Sequence, residues 1–255
     1  MESMVWLASA LVDRKTVDVR LEAALAKLFC SEACWRIVDD TVQIRGGRGY
    51  ETADSLRARG ERPYPVERIM RESRINLIIE GTSEIMRLFI AREALDAHLR
   101  LVGKGLTKAT AYYLTWWPRQ WLSRWWSRSH RAFGPWAGHL RFVERTSHRL
   151  ALALFHSALR HRIQLAYRQQ LLGRLVDIGA ELFAIVAVCS RAQWMRQRHP
   201  DDRSPQELAD LFCRQSRRRI AALFGALRHN EDRRAYRLAQ GVLNDRYRWL
   251  EEGIV

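Results

Sequence analysis

The stretch RINLIIEGTSEIMRLFIAR, residues 74–92, sets one carboxylate, Glu80, between an apolar run and a glycine. Ile78 and Ile79 precede it, and apolar neighbours that exclude water make a carboxylate a better base toward a bound substrate. Gly81 lets a ligand approach closely beside it. Thr82 and Ser83 offer hydroxyls where a helix begins, and the free N–H groups of a helix start attract anions. The arrangement suits proton abstraction. It also suits a glutamate that precedes a helix cap and faces water, and the residues alone leave both readings open.

A second stretch, QIRGGRGY (43–50), carries Gly46, Gly47 and Gly49. Glycines allow backbone N–H groups to close on a phosphate. Their spacing is not the dinucleotide fingerprint, which also needs a preceding strand. A plain helix–helix connector is the competing reading. The third stretch, YYLTWWPRQWLSRWWSRSHRAFGPW (112–136), interleaves tryptophan with arginine. Projected as a helix over 114–128, Leu114, Trp117, Trp121, Leu122, Trp125 and Trp126 share one half. Arg119, Gln120, Ser123, Arg124, Ser127 and Arg128 take the other. Pro118 fits if it lies in the first turn. Such a face suits a helix lying in a membrane interface, with tryptophan at the boundary and arginine toward anionic headgroups. Packing against further protein, or stacking on nucleic acid, are the alternatives.

The elements that must position these residues are helical. Apolar residues recur at helical spacing almost throughout the 255 residues, and alternating strand patterns are absent. The pattern predicts helices over 2–12, with no cap before the first, and over 16–40, with Leu21, Ala24, Leu28, Ala33, Trp35 and Val38 as the buried stripe. Residues 43–68 read as a loop, and 83–100 as a helix starting near Thr82 or Ser83. Residues 143–198 form one long helix or two stacked ones, interrupted near Gly173 and Gly179. Helices over 205–228 and 230–250 follow, the first capped by Ser204 with Pro205 in its first position. The expected fold is all-α: a bundle portion over 1–100 and a second helical module over 101–255.

The net charge of +15 and pI of about 10.6 predict an anionic partner. The excess is almost all arginine, which a GC-rich genome also produces. Cys30, Cys34, Cys189 and Cys213 complete no zinc set, and the scattered histidines lack metal spacing, so thiols in a reducing compartment and no metal are expected. The N-terminus lacks the features of a secretory signal, and no apolar run reaches the roughly 18 residues of a membrane span.

Together, QIRGGRGY, PVERIMRESRI and IIEGTSEIMRLFIAR resemble, in that order, the flavin loop and catalytic segment of the acyl-CoA dehydrogenases. The chain is similar to the C-terminal part of that family. Residues 1–40 look most like the very-long-chain branch, which also carries an extra C-terminal helical domain. The resemblance implies FAD as cofactor and oxidation of long-chain acyl-CoA to the trans-2-enoyl thioester in fatty-acid β-oxidation. Glu80 matches the base that takes the substrate α-proton. Gly81 and Arg92 match substrate-contacting positions, and Thr82 and Glu84 match flavin-contacting ones. Gln43, Gly46 and Gly47 match the loop that reaches the adenine–pyrophosphate end across a dimer interface. The partners implied are an electron-transfer flavoprotein, a second copy of the chain and a membrane surface, without nucleic acid. Trp117, Trp121, Trp125, Arg124 and Arg128 are the expected membrane contacts. The implied location is the inner membrane face in a bacterium, or the matrix side of a mitochondrion. Three departures stand out. ADSLRARGE (53–61) looks like an insertion, and Arg71-Glu72 replaces the usual Arg-Asp. The domains that cradle the flavin ring are absent, as though Met1 were an internal methionine. A non-catalytic attachment or assembly module is the alternative function.

Overall fold

The computed structural model describes residues 1–15, 18–103, 106–123, 125 and 130–253. Among these there is no strand, and the chain folds as a bundle of helices. The first portion contains α1 (Glu2–Arg14), α2 (Arg20–Arg45), the short α3 (Gly47–Tyr50) and α4 (Ala53–Ala58), α5 (Val66–Ile75) and α6 (Ser83–Gly103). The second contains α7 (Leu106–Ser123), α8 (Ala137–His161), α9 (Gln169–Arg198), α10 (Ser204–Ala226) and α11 (Asp232–Leu243).

Helix α9 is the axis of the molecule. Neighbouring helices pack against several faces of α9, which buries thirteen of its residues. Ile178, Leu182, Ile185 and Cys189 form one buried row, and the cluster around them includes Leu140 of α8 and Ile220 and Phe224 of α10. Leu172, Val176 and Ala180 form another, packed with Ala24, Leu25 and Leu28 of α2 and Ile90 and Ala91 of α6. Ala184 and Ala187 meet Met4 of α1. Ile178 and Ile185 are fully buried at 0% exposure, so truncating either to alanine costs roughly 2–5 kcal/mol. The two portions expected from the sequence thus share one central helix.

Ion pairs pin the outer helices to this axis. Arg87 of α6 reaches Asp177 of α9 at 2.9 Å and Glu32 of α2 at 2.7 Å. Burial pushes the Asp177 carboxyl up, while the Arg87 guanidinium opposes that rise. Arg219 of α10 holds buried Glu181 of α9 through two bonds of 2.6 and 3.0 Å. Arg174 of α9 clasps Asp232 at the start of α11 through two bonds of 2.7 Å.

Several sequence expectations are corrected. Gly173 and Gly179 do not interrupt α9. They sit where a side chain would press on Arg87 and Leu150, with an added Cβ at 3.3 Å from Arg87 Cδ. The real break falls at 162–167, where Arg162 takes a left-handed φ of 49°. Helix α2 runs on to Arg45, and α3 and α4 fold part of the expected loop. Ser204 makes no cap; its N–H instead donates to Asp202 Oδ1 at 2.8 Å. Helix α11 stops at Leu243, because the chain turns at Asp245 (φ 57°) and lays Tyr247 over Gly241. No helix among the described residues is long and apolar enough to cross a membrane.

Candidate functional site

The turn that carries Glu80 joins α5 to α6. Beyond Ile75 the chain unwinds, and Ser83 N–H donates back across the turn to the Leu77 carbonyl at 3.2 Å. Glu80 and Gly81 both hold positive φ, 54° and 89°. A glutamate in the left-handed region is strained, and such strain concentrates at functional sites. A Cβ on Gly81 would also come within 2.9 Å of Met86 Sδ. Lys27 of α2 donates from Nζ to the Gly81 carbonyl at 2.6 Å and so anchors the turn.

Thr82 then starts α6. Its Oγ1 accepts from Ile85 N–H at 3.3 Å, and its carbonyl accepts from Met86 N–H at 2.8 Å. Hydrogen bonds from its own N–H and from the Thr82 hydroxyl hold the Glu84 carboxyl below its ordinary value. Ser83 Oγ is buried with no hydrogen-bond partner. Glu80 itself is exposed, and so are Ile78 and Ile79, at 49% and 47%. The expectation that these isoleucines would enclose the carboxylate is therefore corrected. They flank it on an open surface.

The glycine loop lies at the other end of α2. Gly46 turns the chain out of α2 with φ 59° and ψ −142°, a conformation nearly confined to glycine. Gly49 packs so tightly that a Cβ would meet the Val42 carbonyl oxygen at 2.8 Å. Gly46 and Gly47 are open, with nothing within 4 Å of an added Cβ, and Gln43 is exposed beside them. The segment read as an insertion folds over this loop. Thr52 caps α4 by accepting from Ser55 N–H at 3.2 Å, and Glu61 returns to accept two bonds from Arg48 at 2.8 and 2.6 Å. That pairing holds the Glu61 carboxyl below its ordinary range.

A cavity of about 350 Å³ results, lined by Arg45, Arg48, Arg62, Tyr64 and Glu61. Three guanidinium groups and one carboxylate give this lining a net positive charge. Arg45 Nε is buried there without a partner, while its guanidinium stacks 5.2 Å from the Tyr64 ring centroid. An orphaned buried donor beside two open glycines fits a pyrophosphate. Sequence reading missed Arg45, Arg48 and Arg62, because the wall that closes the cavity comes from a segment 13 residues further on.

The structure does not bring the two halves together. From Lys27, which holds the Glu80 turn, to Arg45 at the glycine loop is 18 helical residues, or about 27 Å of helix. Arg92 lies exposed on α6.

Of the tryptophan stretch, Arg124 and Arg128 lie outside the described residues. Trp117 donates from Nε1 to His156 Nε2 at 2.8 Å and stacks on Trp121, with ring centroids 6.5 Å apart. Leu114, Leu122 and Trp125 are exposed. Pro118 lies near the end of α7, not in its first turn, and Gln120, expected on the polar face, meets His148 at 2.5 Å. Trp116 packs with Tyr113, His98 and Phe155, so α7 docks through residues the projection did not single out.

Comparison with known proteins matches residues 1–95 to the acyl-CoA dehydrogenase C-terminal domain and residues 142–246 to the ACAD9/ACADV C-terminal domain. The chain is 47% identical to the probable acyl-CoA dehydrogenase FadE10 of Mycobacterium tuberculosis, over 100% of this chain and 42% of that protein. It is 30% identical to the human mitochondrial very long-chain specific acyl-CoA dehydrogenase, over 89% of this chain and 35% of that protein. A crystal structure of an acyl-CoA dehydrogenase complexed with FAD from Bacillus anthracis shares the fold, with a TM-score of 0.58 and 24% identity, over 86% of this chain and 35% of that one. The chain thus spans less than half the length of these proteins. On these matches, the chain belongs to the acyl-CoA dehydrogenase family and corresponds to its C-terminal portion.

Proposed function

We propose that the chain is the C-terminal part of an FAD-dependent acyl-CoA dehydrogenase that oxidises long-chain acyl-CoA to trans-2-enoyl-CoA, with Glu80 as the base. The observation that carries this reading is the strained Glu80–Gly81 turn, held open at the surface by Lys27. An exposed carboxylate on a strained turn anchored by Lys27 can serve a substrate lying against it. The named activity of the relatives supports the same chemistry, and the very-long-chain relative supports a long acyl chain.

Within this reading Glu80 takes the α-proton next to the thioester carbonyl. That proton is weakly acidic, so the carboxylate must be positioned and kept from water. The described residues position it but do not cover it, and the cover falls to the rest of the enzyme. The developing enolate oxygen needs hydrogen-bond donors, and the N–H of Glu80 is assigned as one of them. Gly81 is assigned to contact the substrate, and Arg92 to its edge. FAD, when bound, supplies the two-electron acceptor for the hydride lost from the β-carbon. Its pyrophosphate suits Gly46, Gly47 and the Arg45 cluster, with Gln43 beside them, while Thr82 and Glu84 serve its flavin end. One molecule cannot use both halves from a chain that holds them about 27 Å apart on α2 unless it spans that length or takes them from two copies. The proposal assigns the second arrangement, a homodimer. Electrons then leave to an electron-transfer flavoprotein.

The test is Glu80→Gln in the enzyme completed by its flavin-cradling domains. Turnover is expected to fall about 10²–10⁴-fold with flavin still bound. Near-normal turnover sinks the assignment. The exposed ridge of Leu114, Leu122 and Trp125 favours a second role, peripheral attachment to a membrane or assembly with a partner. If the purified 255-residue chain stays colourless with added FAD, Glu80 awaits the flavin-cradling part of the enzyme.

A further inference from the structure

The turn between α5 and α6 is held at its two ends by the chain itself. The N–H groups of Ile78 and Ile79 both donate to the Ile75 carbonyl at 2.9 Å, and Ser83 N–H closes the turn on the Leu77 carbonyl at 3.2 Å. Between these ends Glu80 and Gly81 keep positive φ, 54° and 89°. Glycine has no Cβ, so no side chain of its own restricts the peptide that follows it. Glu80 gains by leaving the left-handed region, and rotation of the peptides on either side of Gly81 gives it a way out.

One bond from another element opposes that rotation. Lys27 Nζ donates to the Gly81 carbonyl at 2.6 Å, from 54 residues away in the sequence. Among the described residues no other hydrogen bond reaches residues 76–82 from another helix. The base of the Lys27 side chain is itself fixed. Ala24, Leu25 and Leu28 around it are buried against Ile90 and Ala91 of α6, so α2 and α6 pack as one unit where Lys27 leaves the helix. The four-carbon stem lets the ammonium reach from this packed surface to the turn. A bond from a charged donor is worth as much as the strain of one left-handed residue, or more. It is therefore strong enough to keep Glu80 where the backbone alone would release it.

We infer that Lys27 is a positioning residue for the reaction proposed above. Through the Gly81 carbonyl it holds the backbone of Glu80, and with it the direction of the carboxylate. The inference rests on Glu80 being the base, and its test separates the two.

Lys27→Met keeps the apolar stem and removes the donor. The bond itself is read in the 255-residue chain. Gly81–Thr82 is the only Gly–Thr step in the sequence, so carbon-13 in the glycine carbonyls and nitrogen-15 in the threonine amides give a single correlation. Its carbonyl resonance is expected to move upfield in Lys27→Met, and Lys27→Arg, which still donates, is expected to restore part of the shift. An unmoved resonance in Lys27→Met overturns the proposal. The consequence is read in the enzyme completed by its flavin-cradling domains. There Lys27→Met is expected to lower kcat about tenfold to a hundredfold with flavin bound and KM little changed, as a misplaced reacting group does. Lys27→Arg is expected to recover part of that loss. A lysine that only stabilises the fold lowers Tm and leaves kcat unaltered, and that result overturns the proposal as well. Glu80→Gln runs beside these variants. If it keeps near-normal turnover, the base reading fails and the positioning role falls with it. If it loses turnover while Lys27→Met keeps full kcat, the positioning role alone is overturned.

Discussion

Replacing Glu80 by glycine is expected to make the protein more stable. Glu80 holds φ at 54°, where an L-residue costs roughly 1–2 kcal/mol relative to the right-handed region. The Lys27–Gly81 bond and the cap of α6 hold the turn in this shape from both sides, so a side chain at position 80 cannot relax away. Glycine removes the strain. It also gains freedom in the unfolded chain, which offsets about 0.5–1 kcal/mol of the benefit. The comparison that isolates the backbone is Glu80→Gly against Glu80→Ala, since both remove the same exposed carboxylate. Glycine is expected to be the more stable by about 0.5–1 kcal/mol. For a chain of this size that raises Tm by about 1–4 °C, read by scanning calorimetry or urea titration. Arg92 supplies the control, because it is exposed in the interior of α6. There the order reverses, and Arg92→Gly is the less stable by about 1 kcal/mol. If Glu80→Ala matches or exceeds Glu80→Gly while the control behaves, the turn is not strained and the central observation behind the proposed base fails.

Two further outcomes follow from the packing. Arg87→Met leaves the Glu32 and Asp177 carboxylates facing each other, and it is expected to cost about 2–3 kcal/mol by urea titration, discounted from the fully buried case for their partial exposure. Adding Asp177→Leu recovers part of that loss; no recovery refutes the charge node. His98 accepts or donates at Nδ1 with the Tyr113 hydroxyl at 3.0 Å, and burial pushes its pKa below the ordinary 6.5. A histidine favoured neutral in the fold adds stability above about pH 6.5 and loses it as pH falls through the lowered value. Docking of α7 is thus expected to weaken under mild acid, followed by tryptophan fluorescence, and His98→Phe is expected to flatten that response. Burial lowers the pKa of His148 as well and adds to the same trend.

Helical periodicity disclosed most of the elements, because a helix that buries a face must repeat its apolar residues. It misplaced the breaks. A glycine inside a helix costs only about 1 kcal/mol, and burial on three sides of α9 outweighs that at Gly173 and Gly179. The actual break beside Arg162 contains neither glycine nor proline to announce it. Pairings between distant elements were equally hidden. Cys189 and Cys213 bring their sulfurs to 3.8 Å as buried free thiols, yet nothing in their separation of 24 residues predicts it. The arginine cluster at the glycine loop was hidden for the same reason. Arg45, Arg48 and Arg62 come to line one cavity because Glu61 folds back on Arg48.

Glu80 was legible as a residue and misread as an environment. Its apolar neighbours suggested a carboxylate enclosed by isoleucine. Instead Ile78 and Ile79, which precede it, stand exposed. For the isolated fold this is costly twice over, since two large apolar side chains face water and the backbone between them and α6 is strained. Neither cost is offset by packing among the described residues. Lys27 stabilises the strained turn from below without covering it. The turn thus sets an exposed carboxylate beside two exposed isoleucines and a glycine with positive φ, the surface on which the proposed base reading rests. On the proposed role of Glu80, stability and function oppose each other at position 80. The residue that the fold would prefer there is glycine, and glycine cannot take a proton.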